Sequence, residues 1–559
     1  MKRPLIYYCI AILLGCLSSS IFINNVFLGA ALAASFLAII FFCEERKDFI
    51  FIFIFFIIGF ISFHNYFNIN IGSSAEITVI DKSYGKTIGE FHGRKIILTG
   101  NTKELSIGNK AILNGEFNHK NNYSYGEVGE YNIHDYKITK NTYLFSIDKF
   151  KEKLYSHYNN LIGEKYASLT MSLCFGETKY LSQSEKQDFK RLGVIHAVSV
   201  SGMHLSLIYL ALEKVSGIYI STLLSLVYVV FTGCKASAIR SFIMILILKF
   251  SRKVYKNYDS LSSLSMSAVL ILLINPYYIF DIGFILSYLS TLGILLYYKK
   301  IKRLLYLLPE KLAESLSLTL SAQLFSYPCI AFTIKNFGII FILGNIFLLP
   351  LYSAVVILGN ISLLFYNINF MFNLLAFVIK LTFISIDGAM YFLMKTGAPL
   401  INLNFIDGIG LIGIYLSYLL YKHNYHKIKY LPLIILFTVS IYKFPIIPSI
   451  DFYSGNGYSL VSIIYRKERI LICNYDETLG KEMIKIKDDI KPNKIITNPR
   501  GKRSLYLNPM LQVVISDTYV MIKNNSHYDI IKLPLVYDNS VKSKSKHYKL
   551  LFTKAYRIY

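Results

Sequence analysis

The amino-acid sequence predicts a mainly α-helical, polytopic membrane protein that carries two small soluble domains. Of its 559 residues, 54% are hydrophobic, and the mean hydropathy of +0.45 exceeds what one water-soluble core requires. Apolar runs such as residues 21–43 and 51–63 are continuous rather than alternating, so they predict helices instead of barrel strands. At roughly 20 residues per crossing, the apolar runs predict about 11–13 transmembrane helices.

Three N-terminal helices are predicted within residues 1–69, with basic residues at Lys2, Arg3, Arg46 and Lys47. The positive-inside rule places these charges in the cytoplasm, so the third helix delivers the chain to the outside. Residues 70–160 then form an exported domain, in which four short β-like runs, AEITVI, RKIILTG, KAILNGEF and YNIHDYKIT, alternate with turn formers. This spacing predicts a small, half-open β-barrel of the OB-like kind.

Residues 161–448 are apolar again and predict a helical membrane domain with basic cytoplasmic loops at 251–256, 299–303 and 422–429. The run from 261 to 298 predicts a helical hairpin that turns at Asn275 and Pro276. Residues 449–559 are polar and basic, with candidate strands that indicate a small α/β or β domain. The topology predicts that both soluble domains lie on the outer (periplasmic or extracellular) face of the cell's inner membrane.

Charge and cysteine content restrict the function less than the topology does. The formal net charge is +25, which suits a polyanion or an anionic lipid surface, but abundant Lys, Ile, Asn and Tyr without Trp also fits an A/T-biased genome. No two of the seven cysteines have metal-ligand spacing. The sequence therefore predicts no cofactor and no metal site.

The most informative segment is residues 169–208, where a polar helix leads into an apolar stretch that contains His196, Ser199, Ser201, Gly202 and His204. Polar side chains at membrane depth are costly unless they face protein or water, so they commonly mark a pathway. Ser201 and His204, at i and i+3, also leave open a nucleophile and base of an intramembrane hydrolase. No acidic orienting residue or oxyanion motif accompanies them.

This segment, with Gly-x-x-His followed by Ser-Gly-x-His, resembles the opening of the competence domain in the ComEC family of competence proteins. Three further blocks are similar to that family in the same order, at residues 231–245, 274–295 and 321–352. The resemblance implies an inner-membrane channel that takes up single-stranded DNA during natural transformation. It also implies a separate DNA receptor and a cytoplasmic ATP-driven motor, since the chain has no Walker motif.

The polar residues of these blocks fit a path for a polyanion through the lipid bilayer. Arg240 and the two histidines offer positive or donor groups to phosphates, and Asp281 is expected to pair with Arg240. The predicted DNA pathway consists of His196, Ser201, Gly202, His204, Arg240, Asp281, Gln323 and Asn345. Helix packing or helix breaks are expected at Gly193, Gly233, Pro276, Gly283, Pro328 and Pro350.

The C-terminal segment resembles the metallo-β-lactamase-like domain of full-length ComEC proteins, but it lacks that domain's metal cluster. A nuclease of this class needs clustered His and Asp ligands for two metals, whereas only His527 and His547 occur after residue 449. A degenerate domain and no enzyme activity are therefore predicted. Two alternatives to the channel stay open: a transporter or flippase-like protein for a small or lipid-linked substrate, and a decaying remnant.

Overall fold

A computed structural model gives the fold of the chain. It describes residues 3–557 apart from 84–85, 199–200, 255–256, 335, 339, 396–399, 444–447, 456–457, 467, 476–491, 500, 509–510, 525–528, 536–543 and 552–553. Residues 1–408 form one compact unit, and residues 409–559 form a second. Helical membrane segments and separate β-rich regions are both present, as the sequence predicts.

The first three helices are α1 (Pro4–Asn24), α2 (Val26–Cys43) and α3 (Arg46–Phe67). Helices α1 and α3 pack closely because each contributes a glycine to the contact. A Cβ atom at Gly15 would lie 2.2 Å from the Phe56 carbonyl oxygen, and one at Gly59 would lie 2.5 Å from that of Ile12. Small residues at such positions let helix backbones approach where lipid offers no hydrophobic driving force.

Five strands close into a barrel after α3: β1 (Ser74–Ser83), β2 (Lys86–Phe91), β3 (Arg94–Gly100), β4 (Asn109–Asn122) and β5 (Glu127–Asn141), in the order β1-β2-β3-β5-β4. The prediction of a half-open barrel is wrong, since β1 also pairs with β4 and β3 pairs in parallel with β5. Strand β2 is absent from the predicted strands because its sequence, KTIGEF, has only two large apolar residues.

The remaining helices of the first unit follow the barrel, and two of the chain's short strands lie among them. The helices are α4 (Tyr143–Ile162), α5 (Glu164–Phe175), α6 (Gln183–Arg191), α7 (Ile195–Val198), α8 (Gly202–Phe231), α9 (Ala236–Lys253), α10 (Ser260–Ile274), α11 (Ile282–Leu304), α12 (Glu310–Thr333), α13 (Phe341–Leu364), α14 (Asn369–Lys395) and α15 (Phe405–Lys422). Strands β6 (Asn336–Gly338) and β7 (Leu400–Asn402) pair with each other.

Among the described residues, eight helices are long and apolar enough to cross a membrane: α1, α2, α3, α8, α11, α13, α14 and α15. Helices α9, α10 and α12 are shorter or more polar, so the count of about 11–13 spans stays a prediction.

Helices α10 and α11 form the expected hairpin, turning through a 3₁₀ helix at Pro276–Phe280. Arg3 forms an ion pair with Asp259 at 3.1 Å, whereas Tyr277 contacts barrel residue Gly126. The hairpin therefore runs from the end of α1 that carries Arg3 to the barrel.

Helix α8 is not a straight span, because it folds back on itself at Gly217. This residue has φ 74° and ψ 178° within the helix. The hydroxyls of Tyr209 and Thr222 lie 3.4 Å apart, although 13 residues of straight helix would separate their backbones by about 20 Å. Residues 202–216 and 218–231 are therefore two arms that meet at a turn, and the N-terminus of the first arm lies inside the membrane domain.

The second unit contains α15 from Ile409 onward, α16 (Leu431–Lys443) and a two-sheet domain. One sheet has the order β11-β10-β9-β8-β16-β17 and the other the order β12-β13-β14-β15. The strands are β8 (Ser449–Gly455), β9 (Tyr458–Tyr465), β10 (Glu468–Tyr475), β11 (Lys494–Thr497), β12 (Arg503–Asn508), β13 (Leu511–Ile515), β14 (Tyr519–Asn524), β15 (Asp529–Pro534), β16 (Lys544–Leu551) and β17 (Lys554–Arg557). Buried aliphatic residues from both sheets form one core.

Replacement of Gly217 by alanine should destabilise the membrane domain. Its backbone conformation is essentially restricted to glycine, so we expect a loss of about 1–3 kcal/mol in the free energy of unfolding. An added Cβ would meet no atom within 4 Å, so the loss would come from backbone strain alone. Thermal unfolding of the purified chain in detergent measures it. Gly388→Ala, at an equally open site in α14, is the control and should not lower the unfolding temperature. An unchanged unfolding temperature for Gly217→Ala would contradict the turn.

Candidate functional site

A polar cavity of 550 Å³ lies where the barrel, α4 and the membrane helices meet. Its walls come from three parts of the chain that are far apart in sequence. The main polar and aromatic lining residues are Asp81, Glu90, Lys95, Asp148, Lys151, Glu177, Lys179, Lys235, Tyr277 and Tyr278. Four lysines and four carboxylates therefore face one space between the barrel and the membrane domain.

Two ion pairs join α4 to the segment that follows α5. Lys151 Nζ lies 2.5 Å from Glu177 Oε1, with the lysine side chain 7% exposed, and Lys179 Nζ lies 3.0 Å from Asp148 Oδ1. Burial acts to lower the pKa of Lys179, but the hydrogen bond and charge of Asp148 outweigh it, so the pKa is raised. Lys179 therefore stays charged at neutral pH.

Two further lysines bring positive charge to the cavity from opposite walls. Lys95, on the barrel, lies 4.9 Å above the ring of Tyr277; among the described residues, it has no carboxylate within 4 Å. Lys235, immediately before α9, donates to the Gly176 carbonyl oxygen at 3.0 Å. Cys234 is exposed and lines the same cavity.

A second cluster lies at the N-terminus of the first arm of α8. It includes Arg240, which follows Lys235 by about one helical turn along α9. A Cβ atom at Gly202 would lie 2.8 Å from Arg240 Nη2 and 2.1 Å from Ser241 Oγ. Arg240 is buried, its Nε donates to Ser287 Oγ at 3.0 Å, and its guanidinium lies 5.9 Å from the ring centre of Tyr288. The structure thus brings together Ser201, Gly202, His204 and Arg240 of the predicted pathway.

His204 is fully buried in this cluster. Its Nδ1 accepts a hydrogen bond from the Ser201 backbone N–H at 3.3 Å, which leaves the proton of a neutral imidazole on Nε2. That Nε2 has no hydrogen-bond partner among the described residues. Since Nδ1 is occupied by the Ser201 backbone, the arrangement does not favour a Ser201–His204 hydrolase.

The predicted ion pair between Asp281 and Arg240 is wrong. Asp281 caps α11 instead, with its Oδ1 accepting the Phe284 backbone N–H at 2.6 Å. A short carboxylate at the first position before a helix is better placed to satisfy that helix's free N–H groups than to reach a neighbouring helix. Among the described residues, no carboxylate lies within 4 Å of Arg240.

Of the other predicted pathway residues, Gln323 and Asn345 lie on helices that do not contribute to the Arg240 cluster, whereas His196 lies close enough to His204 for the two side chains to interact electrostatically. Gln323 is half-buried on α12 and accepts from Ser326 Oγ at 3.2 Å. Asn345 is buried on α13, and its Oδ1 has no partner in the described part of the chain. His196, on α7, has an exposed side chain. Ser199 lies outside the described residues.

Of the residues predicted to pack or break helices, four lie in turns or at helix starts and two lie inside continuous helices. Gly193 and Gly233 have positive φ values of 70° and 86° between helices, and Gly233 lines the cavity. Pro276 begins the 3₁₀ turn, and Gly283 lies in the first turn of α11. Helices α12 and α13 continue through their internal prolines, Pro328 and Pro350.

Aromatic residues of the barrel that could have stacked on bases are mostly used inside the protein. Tyr131 is buried in the barrel core, and its hydroxyl donates to backbone carbonyls such as that of Ser73 at 2.8 Å. Tyr123 packs against Phe63 and Phe67 of α3. Of Phe91, Tyr123, Tyr125 and Tyr131, the barrel aromatics that could stack on bases, Tyr125 is the one with a large exposed fraction, 66%.

Sequence reasoning missed the lysines of the cavity, because none of them lies in an apolar run or in a recognisable motif. Lys95 follows a barrel turn, Lys151 lies on an amphipathic helix, and Lys235 lies in a short loop. The only signal was their position next to segment boundaries, where a barrel and a membrane domain must meet.

Fold and site define a polytopic helical membrane protein with a soluble barrel above a polar, lysine-lined cavity. Comparison with known proteins gives the family. The competence protein family model matches residues 173–423, which contain the Gly202–Arg240 cluster and part of the cavity wall. These residues match the competence protein family, and the chain is similar to ComEC-type competence proteins.

Two curated relatives support this assignment. The chain is 23% identical over 289 residues to ComE operon protein 3 of Bacillus subtilis (strain 168), covering 48% of this chain and 35% of that protein. It is 28% identical over 214 residues to an uncharacterized protein of Aquifex aeolicus (strain VF5), covering 37% of this chain and 50% of that protein. The alignments thus span half or less of either relative. No solved structure matches the chain significantly.

Disruption of the Lys151–Glu177 pair should loosen α4 from the membrane domain. Lys151→Met leaves a partly buried carboxylate without its partner, so we expect the free energy of unfolding to fall by about 3 kcal/mol. The matched control is Lys120→Met, which breaks an exposed pair with Glu130 on the barrel and should cost less than about 1 kcal/mol. Chemical denaturation in detergent measures both. Equal losses for the two variants would contradict a clamping role.

Proposed function

We propose that this chain forms an inner-membrane channel for the uptake of single-stranded DNA during natural transformation. The observation that carries the proposal is the charged cavity between the barrel and the competence-family helices, where four lysines and four carboxylates face one space and Lys95 has no carboxylate within 4 Å among the described residues. A strand that leaves the barrel would meet Lys95, Lys179 and Lys235 before it reaches the bilayer. Positive side chains along a groove are the usual means of holding a nucleic-acid backbone without reading its sequence.

The barrel is the proposed receiving domain. Its five strands resemble in number those of the OB fold, a partly open five-stranded barrel that commonly binds single-stranded nucleic acids. The tyrosines buried in or below this barrel cannot stack on bases, so lysines and the exposed Tyr125 would provide most of the contacts. Binding should therefore depend strongly on salt and weakly on base sequence.

The positive-inside rule supports the proposed orientation, with the barrel on the outer face. Arg3, Asp259 and the basic residues Arg252 and Lys253 belong to the end of the helices opposite the barrel, where the cytoplasm is proposed to be. A separate receptor would deliver DNA to the barrel. A separate ATP-driven motor in the cytoplasm would pull the strand, because the chain carries no Walker motif.

The C-terminal domain is proposed to be a degenerate metallo-β-lactamase-like domain without nuclease activity. In the described part of the chain, no group of three or more His, Cys, Asp or Glu side chains is placed to hold a metal ion; His527 lies outside that part. Another protein would therefore degrade the second strand of incoming duplex DNA.

The main rival is a transporter or flippase-like protein for a small or lipid-linked substrate. Such a protein would need a closed pocket near the membrane midplane, whereas the cavity here lies at the junction with the barrel and has charged walls. This position favours a path that begins in the soluble domain. A decaying remnant would not require the two ion pairs that hold the cavity walls together.

Deletion of the gene should abolish internalised DNA in competent cells while leaving surface binding intact. The double variant Lys95→Gln/Lys235→Gln should lower uptake by roughly tenfold, because two charge-assisted phosphate contacts are lost. Uptake is measured as labelled DNA that resists added nuclease, with each strand labelled in turn to show that one strand enters.

Lys153→Gln/Lys311→Gln is the matched control, because it removes the same charge from exposed positions on α4 and α12, outside both the barrel and the cavity, and should leave uptake unchanged. Membrane insertion is checked in every strain. Wild-type levels of uptake in the deletion strain would contradict the proposed function and favour the transporter or the remnant.

A further inference from the structure

Three sources of positive potential converge at the N-terminus of the first arm of α8. The arm, residues 202–216, begins inside the membrane domain, and its first N–H groups have no carbonyl acceptor within the helix. Arg240 Nη2 lies against Gly202, the first residue of the arm. The His204 imidazole, held by its Nδ1 to the Ser201 backbone, lies in the same turn with Nε2 unpartnered among the described residues.

Within residues 1–408, no carboxylate balances this convergence. Arginine cannot lose its proton in a protein, and a buried charge at membrane depth is unstable without a counter-charge. Asp281, the expected partner, caps α11 instead. The residues of 1–408 that the structure leaves undescribed include no Asp or Glu, and the described ones place no carboxylate within 4 Å of Arg240. This compact unit therefore lacks a protein anion for the cluster.

Glycine at position 202 is required for the cluster to exist. A methyl group there would lie 2.1 Å from Ser241 Oγ and 2.8 Å from Arg240 Nη2, so the guanidinium would be displaced. On its other side Arg240 is fixed by Ser287 Oγ and by Met244 Sδ, 3.4 Å from Nη1. The protein thus holds the guanidinium against the end of a helix, the place where it would otherwise be repelled.

We infer that Gly202, His204 and Arg240 form an oxyanion-binding site that holds one phosphodiester of the strand as it passes. The inference rests on the proposed function and adds to it a defined contact within the membrane domain. Guanidinium groups and helix N-termini both bind phosphate oxygens, and an Nε2–H supplies a further donor. A phosphodiester carries one negative charge and would neutralise Arg240 while it is bound. After it moves on, the Arg240 charge would be free to bind the next phosphodiester of the strand.

The absence of tryptophan from the chain allows a direct test of occupancy. Tyr288→Trp places the single reporter beside the Arg240 guanidinium in the full chain, purified in phosphatidylcholine nanodiscs after DNA uptake by this variant has been confirmed. The probes are oligothymidylate, the same oligomer with an uncharged methylphosphonate backbone, and inorganic phosphate. We expect the fluorescence to change with oligothymidylate and with phosphate, but not with the methylphosphonate oligomer.

Arg240→Gln in the reporter background should weaken the oligothymidylate response by roughly tenfold to a hundredfold in apparent Kd, the value of a lost charge-assisted hydrogen bond. Arg252→Gln, exposed in the last turn of the same helix, is the matched control and should keep the reporter's Kd. If Arg240→Gln fails to fold, Gly202→Ala tests the same geometry and should weaken binding in the same direction. An unchanged Kd in the folded variant overturns the inference.

Two further experiments decide whether the anion comes from DNA or from lipid. Nanodiscs that contain phosphatidylglycerol should leave the oligothymidylate response intact; if that lipid alone occupies the site through Arg240, the ligand is a lipid phosphate and the inference for DNA fails. A chain that supports no DNA uptake in cells but still binds phosphate through Arg240 would contradict the proposed function and leave the site standing. Normal DNA uptake by cells that carry Arg240→Gln would leave the proposed function standing and would contradict the oxyanion-binding site.

Discussion

The structure depends on one constraint, that polar and charged groups at membrane depth must be satisfied by protein or by what passes through it. Helix α8 satisfies the constraint only partly, because it turns back at Gly217 and leaves the start of its first arm inside the domain. The Nε2–H of His204 has no acceptor among the described residues, and the charge of Arg240 has no carboxylate beside it. Under the proposed function, an anionic polymer that moves past them would supply an acceptor and a counter-charge without remaining bound.

At the wall of the cavity, two ion pairs hold α4 to the segment that follows α5. The cavity lysines would repel one another in an open groove, but the pairs Lys151–Glu177 and Lys179–Asp148 hold two of them in place across its walls. Lys95 and Lys235 then add positive charge from the barrel and from α9. A strand would pass from a wet, ion-paired cavity to a dry site with a single fixed cation, so the number of contacts falls as the path narrows.

Much of this arrangement could be predicted from the sequence. Continuous apolar runs gave the helices, alternation gave four of the five barrel strands, and unexpected polar residues in apolar segments gave His204 and Arg240. The turn at Gly217 was missed because an apolar run on both sides of one glycine resembles a single long span. The Asp281–Arg240 pair was wrong because charge alone suggested it, whereas position before α11 gave the carboxylate a nearer partner. The cavity itself depends on contacts between distant segments, which no local pattern records.

Modification of Cys234 tests most directly whether the cavity lies on the path of DNA. This thiol is exposed and lines the cavity, and burial of part of the residue raises its pKa, so a methanethiosulfonate reagent should react faster as the pH increases. In cells with Cys43→Ala, which removes the exposed thiol at the end of α2, the reagent should block DNA uptake, and Cys234→Ala should restore it. Normal uptake by a chain whose Cys234 is shown by mass spectrometry to be modified would contradict a DNA path through the cavity.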